Sequence, residues 1–214
     1  MSLSLYFLRH GQTSLSREDV FCGSGLDPEL TQDGLEMAHA FAAAYRAKPW
    51  NAIYSSSLRR GIASAQPLCD AVGMKMQVRT DLNEIGYGKW EGKTKEEVDG
   101  GVFHDDYLSW LADPVWHSPT GGELAVRVAC RGLCVIEEIK QEFTDGNVLV
   151  VSHKATIRII LCSLLGIDVG SFRYRLGCPV GSVSVVEFTS QGPLLHVLAD
   201  RSHLSEQIKT LPGT

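Results

Sequence analysis

Apolar and polar positions fall in blocks along this chain. Leu5-Tyr6-Phe7-Leu8 is an apolar run that stops at Arg9-His10-Gly11-Gln12-Thr13, and Val148-Leu149-Val150-Val151 is a second that stops at Ser152-His153. Short runs bounded by polar turn residues read as strands buried on both faces, the usual state of a parallel sheet. Trp50 to Tyr54 predicts another strand, ending at Ser55-Ser56-Ser57, and Lys75 to Val78 a further one. Helical spacing recurs in Leu35, Ala38, Ala42 and Tyr45 after a Thr31 cap, and in Leu58, Ile62, Ala65, Cys69 and Val72 before Gly73. It recurs again in Val128, Gly132, Val135, Ile139 and Phe143, and in Ile157, Ile160, Leu161 and Leu164 before Gly166.

The remaining stretches are punctuation. Ser14 to Leu30 reads as a loop, long enough to suggest a task of its own. Leu82 to Gly92 has too many glycines for a regular element, while Thr94 to Asp99 and Phe103 to Leu111 predict short helices. Val183 to Phe188 and Leu194 to Leu198 read as a closing hairpin, and the last residues as a tail. Strand alternating with helix predicts an α/β fold: a three-layer sandwich, its mostly parallel central sheet flanked by helices, with a loop-and-helix roof over about 93–120. At 214 residues one domain, 1–214, is the simplest division.

Composition narrows the partners. A formal net charge of −5 argues against general affinity for nucleic acid or anionic membrane, so attraction for an anion has to be local. No apolar run approaches the roughly 20 residues that span a bilayer. Six dispersed cysteines in a chain of this size read as reduced thiols, and the expected location is cytoplasmic. Cys130 and Cys134 are read as small core-facing residues, and His39 and His203 as surface residues. The oligomeric state stays open, a homodimer being one option.

Two buried strands end in histidine, and parallel strands put their carboxyl ends on one edge, where α/β sheets bind ligands. His10 and His153 would therefore meet, with Arg9 beside them and the amides that open the helix after His153. Guanidinium, imidazole and a helix N-terminus together make an anion site, with phosphate as its natural guest. Ser55-Ser56-Ser57-Leu58-Arg59-Arg60 sits at another strand-to-helix junction; Arg60 is assigned to the site and Arg59 elsewhere. Glu84, in a glycine-rich loop, supplies a proton-handling carboxyl.

These residues carry a resemblance. Leu8 to Thr13, Tyr54 to Arg60, Leu82-Asn83-Glu84 with Gly88-Lys89-Trp90-Glu91-Gly92, Gly121-Gly122-Glu123, and Val151-Ser152-His153 stand in the motif order of the histidine phosphatase superfamily, and the chain resembles its phosphoglycerate-mutase-like branch. The resemblance implies His10 as nucleophile, Arg9, Arg60 and a protonated His153 around the phosphoryl group, and Glu84 as proton donor. It implies a phosphomonoesterase acting on a small soluble phosphate ester through phosphohistidine, with no cofactor and no metal. Gln12, Thr13, Ser16, Cys22, Gly23 and Lys154 are further candidates for phosphate or substrate contact. Ser16 stands where relatives often have Asn, and Lys154 where Gly usually follows the second histidine. The alternatives are a phosphoglycerate mutase, disfavoured by the short Glu84–Gly121 interval, and a noncatalytic phosphate-binding module, which would not need both a nucleophile and an acid.

Overall fold

The computed structural model describes residues 2–212. Strands β1 (Leu3–Arg9), β2 (Trp50–Ser56), β3 (Gln77–Arg79), β4 (Gly146–Ser152), β5 (Val183–Thr189) and β6 (Gly192–Asp200) form one sheet in the order β3-β2-β4-β1-β5-β6. The first four strands of that order pair in parallel, and β5 and β6 continue it antiparallel. The apolar runs in β1 and β4 lie side by side at the centre, which is why both read as buried on two faces. The third strand lies at the sheet edge, two residues later than the Lys75 start that the pattern suggests.

Helices α1 (Ser14–Arg17), α2 (Gln32–Tyr45), α3 (Arg59–Val72), α4 (Lys95–Asp99), α5 (His104–Ala112), α6 (Ala125–Glu142), α7 (Lys154–Leu165), α8 (Phe172–Arg175) and α9 (Glu206–Lys209) complete the chain. On one face of the sheet Phe41, Ala42, Ala65 and Leu68 of α2 and α3 pack on Leu8, Ile53 and Leu149. On the other, Val128, Val135 and Ile139 of α6 and Ile157 and Ile160 of α7 pack on Leu5, Phe7, Tyr54 and Val150. The expected three layers are these. Gly73 and Gly166 end α3 and α7 in the left-handed conformation, which glycine adopts without a Cβ clash. No helix among the described residues is long and apolar enough to cross a membrane.

Several expectations need correction. The Ser14–Leu30 segment opens with a helical turn, α1, closed by a capping box between Thr13 and Ser16. The expected tail folds back as α9, whose Ile208 is buried with Met37, Val180 and Leu204. Cys130 and Cys134 are exposed: each lies two residues from the inward positions Val128 and Gly132, on the far side of a helix. His203 is half-buried against the rings of Phe41 and Tyr45, whereas His39 is exposed as expected. Phe21 and Trp90 form a separate apolar cluster with Val98, Tyr107 and Trp110 of the 93–120 segment, and Trp116 stays out of it, 69% exposed.

Candidate active site

Arg9 of β1 is in register with Ser152 of β4, so the residues that follow, His10 and His153, leave the sheet side by side. Their ring centroids are 5.0 Å apart. The His10 amide donates to the Ser152 carbonyl at 3.0 Å, and its carbonyl accepts from Gly181, so strand pairing continues through the residue that carries the imidazole. Nδ1 of His10 lies 2.7 Å from the Gly11 carbonyl; as an N–H donor there, it leaves Nε2 with its lone pair. Burial, with Arg60 and Arg9 nearby, holds the His10 pKa well below its ordinary value. The ring is a neutral, fixed base lining a cavity of about 250 Å³.

His153 is built differently. Its Nδ1 accepts from Arg60 Nε at 3.2 Å, and its Nε2–H donates to Ser56 Oγ at the end of β2 at 2.8 Å. A ring that accepts at one nitrogen and donates at the other is neutral. Burial and the Arg60 charge likewise depress its pKa well below normal. The expected protonated His153 is therefore not the form present in this arrangement; the positive charge belongs to the arginines.

Arg60 is almost wholly buried in the first turn of α3. Besides His153, it donates to the Leu26 carbonyl at 2.7 Å and the Gly23 carbonyl at 3.0 Å, and lies 3.6 Å from Asp27. Arg59 points away, to Asp27 and Glu29, as expected. Asp27 also accepts from the Arg59 amide, serving the N-terminus of α3 where Leu58 offers no side-chain cap. The long segment before α2 thus acts as a brace that fixes the Arg60 guanidinium. Arg9, buried, donates to the Cys178 carbonyl at 2.7 Å.

Glu84 reaches the cavity from the glycine-rich loop, but with partners the sequence did not reveal. Its carboxylate accepts from the amides of Ala155 and Thr156 at 3.1 and 3.0 Å, from Thr156 Oγ1 at 3.1 Å and from its neighbour Ile85 at 3.0 Å. The N-terminus of α7, expected to face phosphate, is occupied by this carboxylate. The loop is clamped in turn by Arg131, which donates to the carbonyls of Asp81, Asn83 and Glu84 while paired with Glu123 at 2.8 Å. The Gly121-Gly122-Glu123 motif acts here, as a support for Glu84.

Thr13, Ser16, Cys22 and Lys154 line the cavity along with His10, Arg9, Arg60 and Glu84; Gln12, Gly23 and His153 do not. Gln12 is turned inward, bonded to Thr31 Oγ1 and the Pro212 carbonyl. Gly23 contributes only the carbonyl that holds Arg60, and His153 stands behind that arginine. The hydroxyls of Thr13 and Ser16 are engaged with each other's backbone in the α1 cap. Burial pushes the Cys22 thiol up to about 11, so it is a thiol and not a thiolate at neutral pH. Arg158, Arg173, Tyr174, Tyr87 and Lys95 also line the cavity, and sequence reasoning missed them. Only Arg158 left a signal: a lone charge in an apolar helix, four residues after Lys154.

Comparison with known proteins places this geometry. The profile of the Histidine phosphatase superfamily (branch 1) matches residues 5–201. Phosphoserine phosphatase 1 of Hydrogenobacter thermophilus is 28% identical over 204 residues, 95% of each chain. A glucosyl-3-phosphoglycerate phosphatase of Mycolicibacterium vanbaalenii is 34% identical over 175 residues, 78% of this chain and 76% of that one. Among solved structures, mycobacterial glucosyl-3-phosphoglycerate phosphatase in complex with inorganic phosphate superposes with a TM-score of 0.82 at 29% identity, over 94% of this chain and 99% of that one. Five ordered motifs, the sheet order and these matches agree: the chain belongs to the histidine phosphatase superfamily, branch 1, as one of its phosphatases.

Proposed function

We propose that the chain hydrolyses small phosphomonoesters in two steps through a phosphohistidine on His10. The observation that carries this reading is the state of the ring: neutral, tied at Nδ1 to Gly11, and facing the cavity between Arg9 and Arg60. In the first step Nε2 attacks phosphorus in line. The N–P bond forms, the ester P–O bond breaks, and the departing oxygen takes a proton from Glu84, which the monoanionic phosphate ester protonates as it binds. In the second step water attacks phosphorus, its proton passes to Glu84, the N–P bond breaks and neutral His10 returns.

Arg9 and Arg60 offset the charge on the equatorial oxygens, and both are fixed before substrate arrives, so little reorganisation accompanies the reaction. His153 acts through Arg60 by accepting its Nε–H. One of the four donors on the Glu84 carboxyl yields to the leaving oxygen when the proton moves. The whole chain serves as one catalytic unit, the 93–120 roof included.

The test is turnover of p-nitrophenyl phosphate in the presence of chelator. We expect hydrolysis by the wild type and a loss of about a thousandfold or more in kcat for His10→Ala, the scale seen when a nucleophile is removed. No turnover of any phosphate ester by the folded protein would favour the noncatalytic module, and full activity in His10→Ala would place the nucleophile elsewhere.

A further inference from the structure

The cavity holds more positive charge than a phosphoryl group needs. Arg9, Arg60, Lys95, Lys154, Arg158 and Arg173 line it, against Asp19 and Glu84. Both acids are engaged: Glu84 by the α7 amides, and Asp19 by Lys95 at 2.8 Å. Arg9 and Arg60 belong to the phosphoryl end. Lys154, Arg158 and Arg173 remain, in a chain whose overall charge is −5.

These three cations form one wall. Lys154 opens α7 directly after His153, and Arg158 lies one turn further along the same helix. Arg158 anchors two of its nitrogens, Nε to the Leu176 carbonyl at 2.6 Å and one terminal nitrogen to the Arg173 carbonyl. Its other terminal nitrogen has no protein acceptor among the described residues. The Arg173 guanidinium lies 4.0 Å over the Trp110 ring, and its Nη1 is buried without an acceptor among the described residues. Lys154 makes no hydrogen bond or ion pair among the described residues, although it is only half-exposed.

A structural role accounts for the anchored nitrogens of Arg158 and for the Arg173 stack. It does not account for Lys154, or for three cations gathered where the two lining acids, Asp19 and Glu84, already have partners of their own. Half-buried positive charge gathered in one cavity wall favours an anion to complete it.

We propose that Lys154, Arg158 and Arg173 form a second anion subsite, which makes the preferred substrates phosphomonoesters carrying a carboxylate a few atoms from the ester oxygen. The cavity, about 250 Å³, lies below the common range for drug-sized ligands, which favours a small second group. Burial, with Arg9 and Arg158 close by, brings the Lys154 pKa down to about 8, and Asp19 opposes this shift. A carboxylate seated on Lys154 would reverse it. The inference rests on the phosphatase reading for its phosphoryl end only.

Binding separates the two. Using His10→Ala, which cannot form the covalent intermediate, calorimetry at pH 7 compares 3-phosphoglycerate with glycerol 3-phosphate, a pair that differ by carboxylate against hydroxymethyl. We expect the carboxylate ligand to bind roughly tenfold more tightly, the scale of one charge-assisted contact. In His10→Ala/Lys154→Met that ratio falls at least threefold, and in His10→Ala/Lys154→Glu it drops below one. Equal affinities in His10→Ala, or a ratio unchanged by both Lys154 substitutions, overturn the subsite. Failure of p-nitrophenyl phosphate turnover overturns the phosphatase reading and leaves the affinity ratio to decide the subsite on its own.

Discussion

His10 and His153 stand 5.0 Å apart and are both neutral, for reasons that reside in single hydrogen bonds. His10 gives its Nδ1 proton to a carbonyl and keeps a basic Nε2, whereas His153 receives the Arg60 Nε–H and gives its own proton to Ser56. Both folded-state pKa values lie below the ordinary histidine value, so below about pH 6.5 the unfolded chain binds more protons than the folded one. Stability is then fully present above about pH 6.5 and is lost as the pH falls beneath it. Urea unfolding at pH 7 and pH 5.5 should show this. Each histidine contributes at most roughly 1 kcal/mol per pH unit in that window, so His10→Gln/His153→Gln should lose less stability on acidification than the wild type. Equal losses would mean that neither ring is held neutral.

At the same scale, His10, Arg9 and Arg60 were legible because each sits at a strand end or the first turn of a helix. Gln12 was not, because nothing local says that Thr31 and the Pro212 carbonyl would claim it. The exposure of Cys130 and Cys134 follows from the helix period alone. The periodicity that turns Val128 inward turns a residue two positions later outward.

Between elements, the site depends on how closely α2 crosses the turn after β1. A Cβ on Gly34 would run into the Gln12 carbonyl oxygen, and one on Gly11 into the Gly34 carbonyl oxygen, so two backbones meet there with no room for side chains. Gly34→Ala should destabilise the fold by about 1–3 kcal/mol and lower kcat as well, since the strand-to-turn segment that yields carries His10. Thermal unfolding together with p-nitrophenyl phosphate kinetics checks this; an unchanged melting temperature would show that the contact relaxes freely. The sequence indicated strand order and helix ends better than it indicated which helix terminus serves which anion. The α7 amides were expected to face phosphate, yet Glu84, seventy-odd residues earlier in the chain, already occupies them.

Over the whole molecule, the parallel half of the sheet was readable because two apolar runs stop at histidines, and neighbouring parallel strands bring such ends together. The far wall of the cavity was not. Arg158, Arg173 and Trp110 come from separate segments, and their meeting depends on how α8 and the roof fold over α7. The resulting charge distribution, negative overall and positive inside the cavity, draws anions to one place.

The central claim is the covalent step on His10. Rapid quench of the wild type with a radioactive phosphomonoester, followed by peptide mapping, should yield an acid-labile, base-stable phosphoryl label on the peptide bearing His10, absent from His10→Ala. Label that persists in His10→Ala, or turnover of substrate with no trapped intermediate under any quench time, would contradict it.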